Sequence, residues 1–216
     1  MSHSGPAAET EAGAGRILLR RLGRADYEPT WRAMQAFTAR RDAGTPDEIW
    51  LVEHPPVFTQ GLAGRPEHLL RETGIPLVKV DRGGLITYHG PGQAVAYLML
   101  DLGRRPFKVR GLVARIEQAV IALLAAHGIR GERTAGAPGV YVAGAKVAAL
   151  GLRVRNGCCY HGVALNVDVE LAPFSAINPC GYPGLRVARL ADLGVAQGWA
   201  EIGEALLLQL SREIER

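Results

Sequence analysis

The chain has 216 residues, 48% of them apolar and 21% charged, with 25 Lys and Arg against 21 Asp and Glu for a formal net charge of +4. That length gives one sizeable core and argues against a second full domain, and no apolar run reaches the roughly 18 residues that a membrane span needs. The mild basicity permits an acidic partner, but 6% aromatics without a basic-aromatic stripe argue against a nucleic-acid-binding module.

Residues 1–15 are small and polar, with neither a basic n-region nor an apolar h-region. They predict a disordered tail and no signal peptide, followed by one domain over 16–216. Residues 16–22 alternate as a first strand, and 26–42 follow as a helix with Pro29 in its first turn and Trp31, Met34, Phe37 and Thr38 on one face. Short strands are predicted over 49–52, 56–59, 77–80, 85–89 and 94–102, with an irregular stretch at 61–74 and turns at Gly83-Gly84 and Gly90-Pro91-Gly92. The strongest helix signal runs over 108–127, where Val109, Leu112, Val113, Ile116, Val120, Leu123 and Leu124 form an apolar stripe and Gly128 ends it. A β region follows over 140–169, with hairpin turns at Ala143-Gly144 and Asn156-Gly157. Ile202, Leu206, Leu210 and Ile214 then recur at helical spacing. Strands in runs, with helices between and after them, predict a single α+β domain with a mixed β-sheet flanked by helices.

Cys180 lies in Asn178-Pro179-Cys180-Gly181-Tyr182-Pro183-Gly184, a segment too rich in Pro and Gly to continue a helix or a central strand. A thiol in such a turn is reachable by a substrate. Lys146 stands alone in the uncharged run from Val140 to Gly151, and a cationic neighbour is what turns a thiol into a nucleophile. The other two cysteines, Cys158 and Cys159, point to opposite faces of a strand and read as packing residues. With three cysteines, two of them adjacent, there is no disulfide framework and no zinc-ligand spacing, so neither a metal nor a cofactor is expected. Reduced thiols fit a cytoplasmic protein.

Arg82-Gly83-Gly84-Leu85-Ile86-Thr87-Tyr88-His89-Gly90-Pro91-Gly92-Gln93 joins glycines, which let a backbone approach a ligand, to the donors Arg82, Thr87, Tyr88 and His89. It reads either as a ligand loop or as a glycine-turned hairpin, and matches neither a P-loop nor a dinucleotide fingerprint. His161 is either a general base or a satisfied structural histidine. His54 is a loop histidine unless it converges on the glycine loop. Arg104, Arg105, Lys108 and Arg110 crowd a helix start, where the macrodipole disfavours cations; they form either a solvated face or a docking site for an acidic partner.

EHPPVFTQG (53–61), RGGLITYHGPGQ (82–93), GAKVAALGLRV (144–154), HGVALNV (161–167) and INPCGYPG (177–184) together resemble the lipoyl(octanoyl) transferase family. The resemblance covers nearly the whole chain after the tail. It implies the fold of lipoate ligases and of the biotin protein ligase catalytic domain. It also implies an ATP-independent transfer of an octanoyl group from octanoyl-acyl carrier protein to a lysine of lipoyl domains, those of 2-oxo acid dehydrogenase E2 subunits and the glycine cleavage H protein. Cys180 corresponds to the acyl-accepting nucleophile and Lys146 to the residue that lowers its pKa. Residues 82–89 (Arg82, Gly83, Gly84, Leu85, Ile86, Thr87, Tyr88, His89), 149–151 (Ala149, Leu150, Gly151) and 162–164 (Gly162, Val163, Ala164) correspond to the acyl-substrate pocket. Without the resemblance the residues support only a cysteine acyl transferase or hydrolase, with His161 or His89 as an alternative base.

Overall fold

The computed structural model describes residues 17–178 and 184–216. The predicted tail at 1–15 and the turn residues 179–183, Cys180 among them, lie outside the described residues.

Among the described residues, ten strands form two sheets and three helices cover both faces of the larger one. Strand β1 (Leu18–Arg24) leads into helix α1 (Tyr27–Arg40) and then β2 (Glu48–Glu53). Because α1 carries the chain over the sheet, β2 returns parallel to β1. Strands β3 (Val57–Gln60), β4 (Leu77–Lys79) and β5 (Ile86–His89) form a separate three-stranded sheet in the order β4-β3-β5. After β6 (Gln93–Asp101) and helix α2 (Val109–Ala126) come β7 (Glu132–Thr134), β8 (Ala137–Val142), β9 (Ala145–Arg155) and β10 (Cys158–Asn166), and helix α3 (Trp199–Glu215) ends the chain. The large sheet runs β1-β2-β6-β10-β9-β8-β7, antiparallel from β2 onward. Both sheets are mixed and the class is α+β, as expected from the sequence.

Both hairpin turns form where the sequence marks them. Ala143 and Gly144 have φ of 47° and 76°, and Asn156 and Gly157 have 50° and 78°, the left-handed pairs that a two-residue hairpin between twisted strands requires. Strand β7 gave no readable signal: its three residues, Glu-Arg-Thr, are all exposed and are held by pairing with β8.

Strand β6 is buried from Gln93 to Leu100, because helices or the small sheet cover both its faces. On one face Ala96, Leu98 and Leu100 pack with Leu112, Ile116 and Val120 of α2 and Leu206 and Leu210 of α3. On the other, Val95, Tyr97 and Met99 pack with Tyr27 and Met34 of α1 and Val57 of β3. The α2 stripe is shorter than predicted. Val109 is exposed and Val113 is only half-buried, because the first turn of α2 reaches past the sheet and borders a cleft instead.

Candidate active site

A narrow cavity of about 60 Å³ runs between the α1 face of the large sheet and the small sheet. Its walls are Ala149, Leu150 and Gly151 of β9, Gly162, Val163 and Ala164 of β10, Val95 and Tyr97 of β6, and the 84–87 stretch with His89. Three distant sequence motifs thus converge on one slot. Two glycines make this possible. A β-carbon on Gly162 would overlap the Ala96 carbonyl, so only glycine lets β10 close on β6. One on Gly151 would lie 3.0 Å from the Arg82 Cδ and 3.2 Å from the Gly83 carbonyl, where the 82–84 loop lies against β9 and Gly83 N–H donates to Leu152 O at 2.9 Å. Arg82 is buried and donates to Thr59 O and Oγ1 at 2.6 and 2.8 Å, which fixes the loop from beneath. Gly83 and Tyr88 do not line this slot. Gly83 borders the neighbouring cleft, and the Tyr88 ring packs on Phe58 and Phe174.

The slot becomes polar at its β6 end. His54 lies on the loop after β2, as the sequence suggests, but it is fully buried and converges on the glycine loop, its ring 6.0 Å from that of His89. Its Nδ1 lies 2.6 Å from the Ala25 carbonyl, which can only accept, so Nδ1 carries the proton and Nε2 accepts from the Tyr97 hydroxyl at 2.8 Å. His89 donates from Nδ1 to Gln93 Oε1 at 2.7 Å, and Gln93 in turn donates to Asn166 Oδ1 at 2.9 Å. Burial pushes His54 down to about 4 and His89 to about 3, so both rings are neutral at physiological pH. The same burial raises Tyr27 to about 12. His161 has a left-handed backbone, φ 64°, which breaks the strand alternation and stacks its ring on Tyr160 with centroids 5.1 Å apart. Its Nε2 meets Asp81 at 3.2 Å. Burial opposes ionisation of Asp81, but hydrogen bonds from His161, Tyr160, Trp31 and Gln35 outweigh it and hold the carboxyl well below the usual range. The His161 Nδ1 is buried with no hydrogen-bond partner among the described residues. Tyr27, Asp81 and Tyr97 escaped the sequence reading because each looks like an ordinary core or loop residue until the fold brings it to this end of the slot.

At its other end the slot shares Gly84, Leu85, Leu150 and Gly151 with a wider cleft of about 350 Å³. Lys146 lines that cleft. It is 3% exposed, with Nζ 3.1 Å from the Pro138 carbonyl and 5.1 Å above the Tyr141 ring. Its amide donates to Arg186 O at 2.8 Å, and its carbonyl accepts from Ala188 N at 3.0 Å, so the segment following residues 179–183 runs alongside it. On the preceding side, Asn178 N–H donates to His68 O at 2.9 Å. The described residues on both sides of 179–183 are therefore anchored.

Cys159 is buried in the core and burial lifts its thiol to about 12, while burial also raises half-buried Cys158. Neither is set up as a nucleophile. The basic cluster divides. Arg105 pairs with buried Asp47, and Arg104 caps the 42–45 loop through Asp42, Ala43 and Thr45 carbonyls while pairing with Asp101 at 3.1 Å. Internal carboxylate and carbonyl groups engage both, which favours a structural role for these two over the docking alternative. Lys108 and Arg110 remain exposed beside Val109. Among the described residues, no His, Cys, Asp and Glu cluster could hold a metal, and no helix is long and apolar enough to cross a membrane.

The fold is shared with lipoate-protein ligase A bound with ATP (TM-score 0.74, 18% identity, covering 92% of this chain and 85% of that one) and with the biotin protein ligase of Aquifex aeolicus (TM-score 0.57, 11% identity, covering 93% and 70%). Sequence similarity is far closer to octanoyltransferases. The chain is 67% identical to that of Aromatoleum aromaticum over 96% of this chain and 90% of the relative, and 65% identical to that of Azoarcus over 97% and 92%. Residues 26–211 match the lipoyl protein ligase A/B catalytic domain, and with relatives this close the chain belongs to the octanoyltransferases of that family.

Proposed function

We propose that this acyltransferase moves an octanoyl group from acyl carrier protein to the ε-amine of a lysine on lipoyl domains, those of 2-oxo acid dehydrogenase E2 subunits and the glycine cleavage H protein, in the cytoplasm. The acyl chain passes through a thioester on Cys180. What carries this reading is the shared mouth of the two cavities: a narrow apolar slot opens at Leu85 and Leu150 into a cleft that contains Lys146. An alkyl chain in the slot puts its carbonyl at that mouth, beside the lysine.

The Cys180 thiolate attacks the thioester carbonyl, and the carbon–sulfur bond to the carrier's pantetheine breaks as that sulfur leaves and takes up a proton. The target amine then attacks the enzyme thioester, the Cys180 sulfur leaves, and the nitrogen gives up a proton as the amide forms. Lys146 serves both steps. A thiol with pKa near 8.5 is only about 3% thiolate at pH 7. Lowering it to about 6 raises that fraction roughly 30-fold, but the accompanying loss of nucleophilicity cancels about tenfold. Charge therefore contributes only a few-fold, and Lys146 also carries protons to the leaving sulfur and from the amine. Tyr97, His54 and His89 lie at the far end of the slot and take no part in these steps.

The test is intact mass after mixing with octanoyl-carrier. An octanoyl adduct is expected on wild type and on Cys158→Ala and Cys159→Ala, absent from Cys180→Ala, and discharged by a lipoyl domain. An adduct that persists in Cys180→Ala with continued turnover would remove Cys180 from the mechanism.

A further inference from the structure

The slot crosses the sheet from β9 over β10 to β6, so its length is set by strand spacing. Adjacent strands lie about 4.8 Å apart, which puts β6 about 10 Å from the mouth on β9. An extended eight-carbon chain has seven C–C bonds near 1.5 Å and spans about 9 Å. The carbon that reaches β6 meets a change of chemistry. Leu85, Leu150, Val163, Ala164 and Val95 line the slot, with Arg82 and Thr87 also bordering it; where it meets β6 the Tyr97 ring lies 6.2 Å from the His161 imidazole of β10, with the Tyr27 ring also in the wall. The Tyr27 hydroxyl sits against Thr59 and Tyr97, and Tyr97 in turn bonds His54 at 2.8 Å. With His161 Nε2 held by Asp81, its Nδ1 is the polar atom of this end that stands without a partner among the described residues, on a side chain 1% exposed.

We infer that Tyr97 and His161 form a polar stop that selects acyl length, admitting eight carbons and rejecting longer chains. This rests on the reading of the slot as an acyl site. Burying one further methylene in apolar surroundings raises affinity about fourfold, so an apolar slot of the same shape would favour decanoyl over octanoyl by about fifteenfold. At this end the two extra methylenes instead displace hydrogen-bonding contacts and confront an imidazole nitrogen that they cannot satisfy, which cancels the gain. The stop lies at the opposite end of the slot from Lys146, so it can be altered without touching the reacting groups.

The experiment compares affinities of free octanoate, decanoate and dodecanoate for wild type, Tyr97→Phe, His161→Leu and His161→Asn, alongside acylation rates from the matching acyl-carrier thioesters. Wild type is expected to gain nothing from decanoate over octanoate. In His161→Leu the decanoate-to-octanoate affinity ratio should rise about tenfold, and in Tyr97→Phe, which deletes one oxygen and no carbon, several-fold. His161→Asn, which keeps a polar group at the stop, should stay near wild type. Unchanged ratios in Tyr97→Phe and His161→Leu would overturn the stop, and if His161→Leu fails to fold, Tyr97→Phe alone decides. Acids that bind with this length profile while no octanoyl is transferred would instead refute the proposed reaction and leave the stop standing.

Discussion

The main chain of Lys146 is bonded to the segment that follows residues 179–183: its amide donates to Arg186 O at 2.8 Å and its carbonyl accepts from Ala188 N at 3.0 Å. A strand and a loop that are 40 residues apart in sequence are thereby held side by side. The proposed base and the chain carrying the proposed nucleophile share one backbone frame, and the Lys146 side chain is confined between the Pro138 carbonyl and the Tyr141 ring. That confinement makes the identity of the cation matter.

Lys146→Arg should therefore be severely impaired although it keeps its charge. Arginine, with pKa above 12, releases no proton at neutral pH. Acyl-enzyme formation and transfer to a lipoyl domain should both slow, by about 100-fold or more, the scale of a lost general acid–base. Titrating the Cys180 thiolate with a thiol-reactive probe separates the effects: a depressed thiol pKa with lost transfer identifies proton movement as the missing function. Near-normal rates in both steps would show that charge suffices.

The divided basic cluster gives opposite expectations for neighbouring arginines. Lys108 and Arg110 flank exposed Val109 at the start of α2, beside the Lys146 cleft. Reversing both charges should raise KM for the acidic carrier and flatten its salt dependence, with a small octanoyl thioester unaffected. Arg105→Glu should act on stability instead, because it leaves buried Asp47 facing a second carboxylate; a loss of about 3 kcal/mol in urea unfolding is expected. Equal kinetic losses with both donors in the Lys108 and Arg110 double variant would mean that this surface does not dock the carrier.

Gly162→Ala tests the close approach on which the slot depends. The added carbon would overlap the Ala96 carbonyl in the next strand as well as Leu98 Cδ1; the side chain can give way but the backbone oxygen cannot. Destabilisation of about 3 kcal/mol is expected, together with weaker binding of octanoate, since β6 and β10 would have to separate. An unaltered melting temperature would show that the sheet spreads there without cost.

Local signals made most of the framework legible. The Ala143-Gly144 and Asn156-Gly157 turns, the α3 stripe from Ile202 to Ile214, and burial of β6 from Gln93 to Leu100 all follow from residue type and period. Convergence was not legible. Nothing around His54 says that its ring stacks edge-on to Tyr27 and His89, because those contacts are made across three separate elements. The engagement of Arg104 and Arg105 was hidden for the same reason: Arg105 pairs with the Asp47 carboxylate and Arg104 donates to the Asp42 backbone carbonyl, both about sixty positions earlier, and charge density along a sequence does not reveal which groups are already engaged in space. Val109 misled in a different way, since helical period assigns a face but not where along the helix the sheet ends.

The buried histidines predict an acid-labile fold. Unfolded, an imidazole titrates near 6.5; folded, burial holds His54 at about 4 and His89 at about 3, and burial moves His161 in the same direction despite Asp81. Between 6.5 and 4 the unfolded chain therefore binds protons that the native chain refuses. Stability contributed by the neutral rings is complete above about pH 6.5 and is lost as the pH falls toward 4. With two such sites, the loss between pH 7.5 and 5.5 should be about 3 kcal/mol, read from urea unfolding at each pH. Asp81 works in a separate window: its carboxyl is held below the usual range, so its contribution survives down to about pH 4 and declines only below that. His89→Gln should halve the loss between 7.5 and 5.5 while leaving the low-pH decline in place. A flat profile in wild type would mean that water reaches these rings and protonates them in the native state.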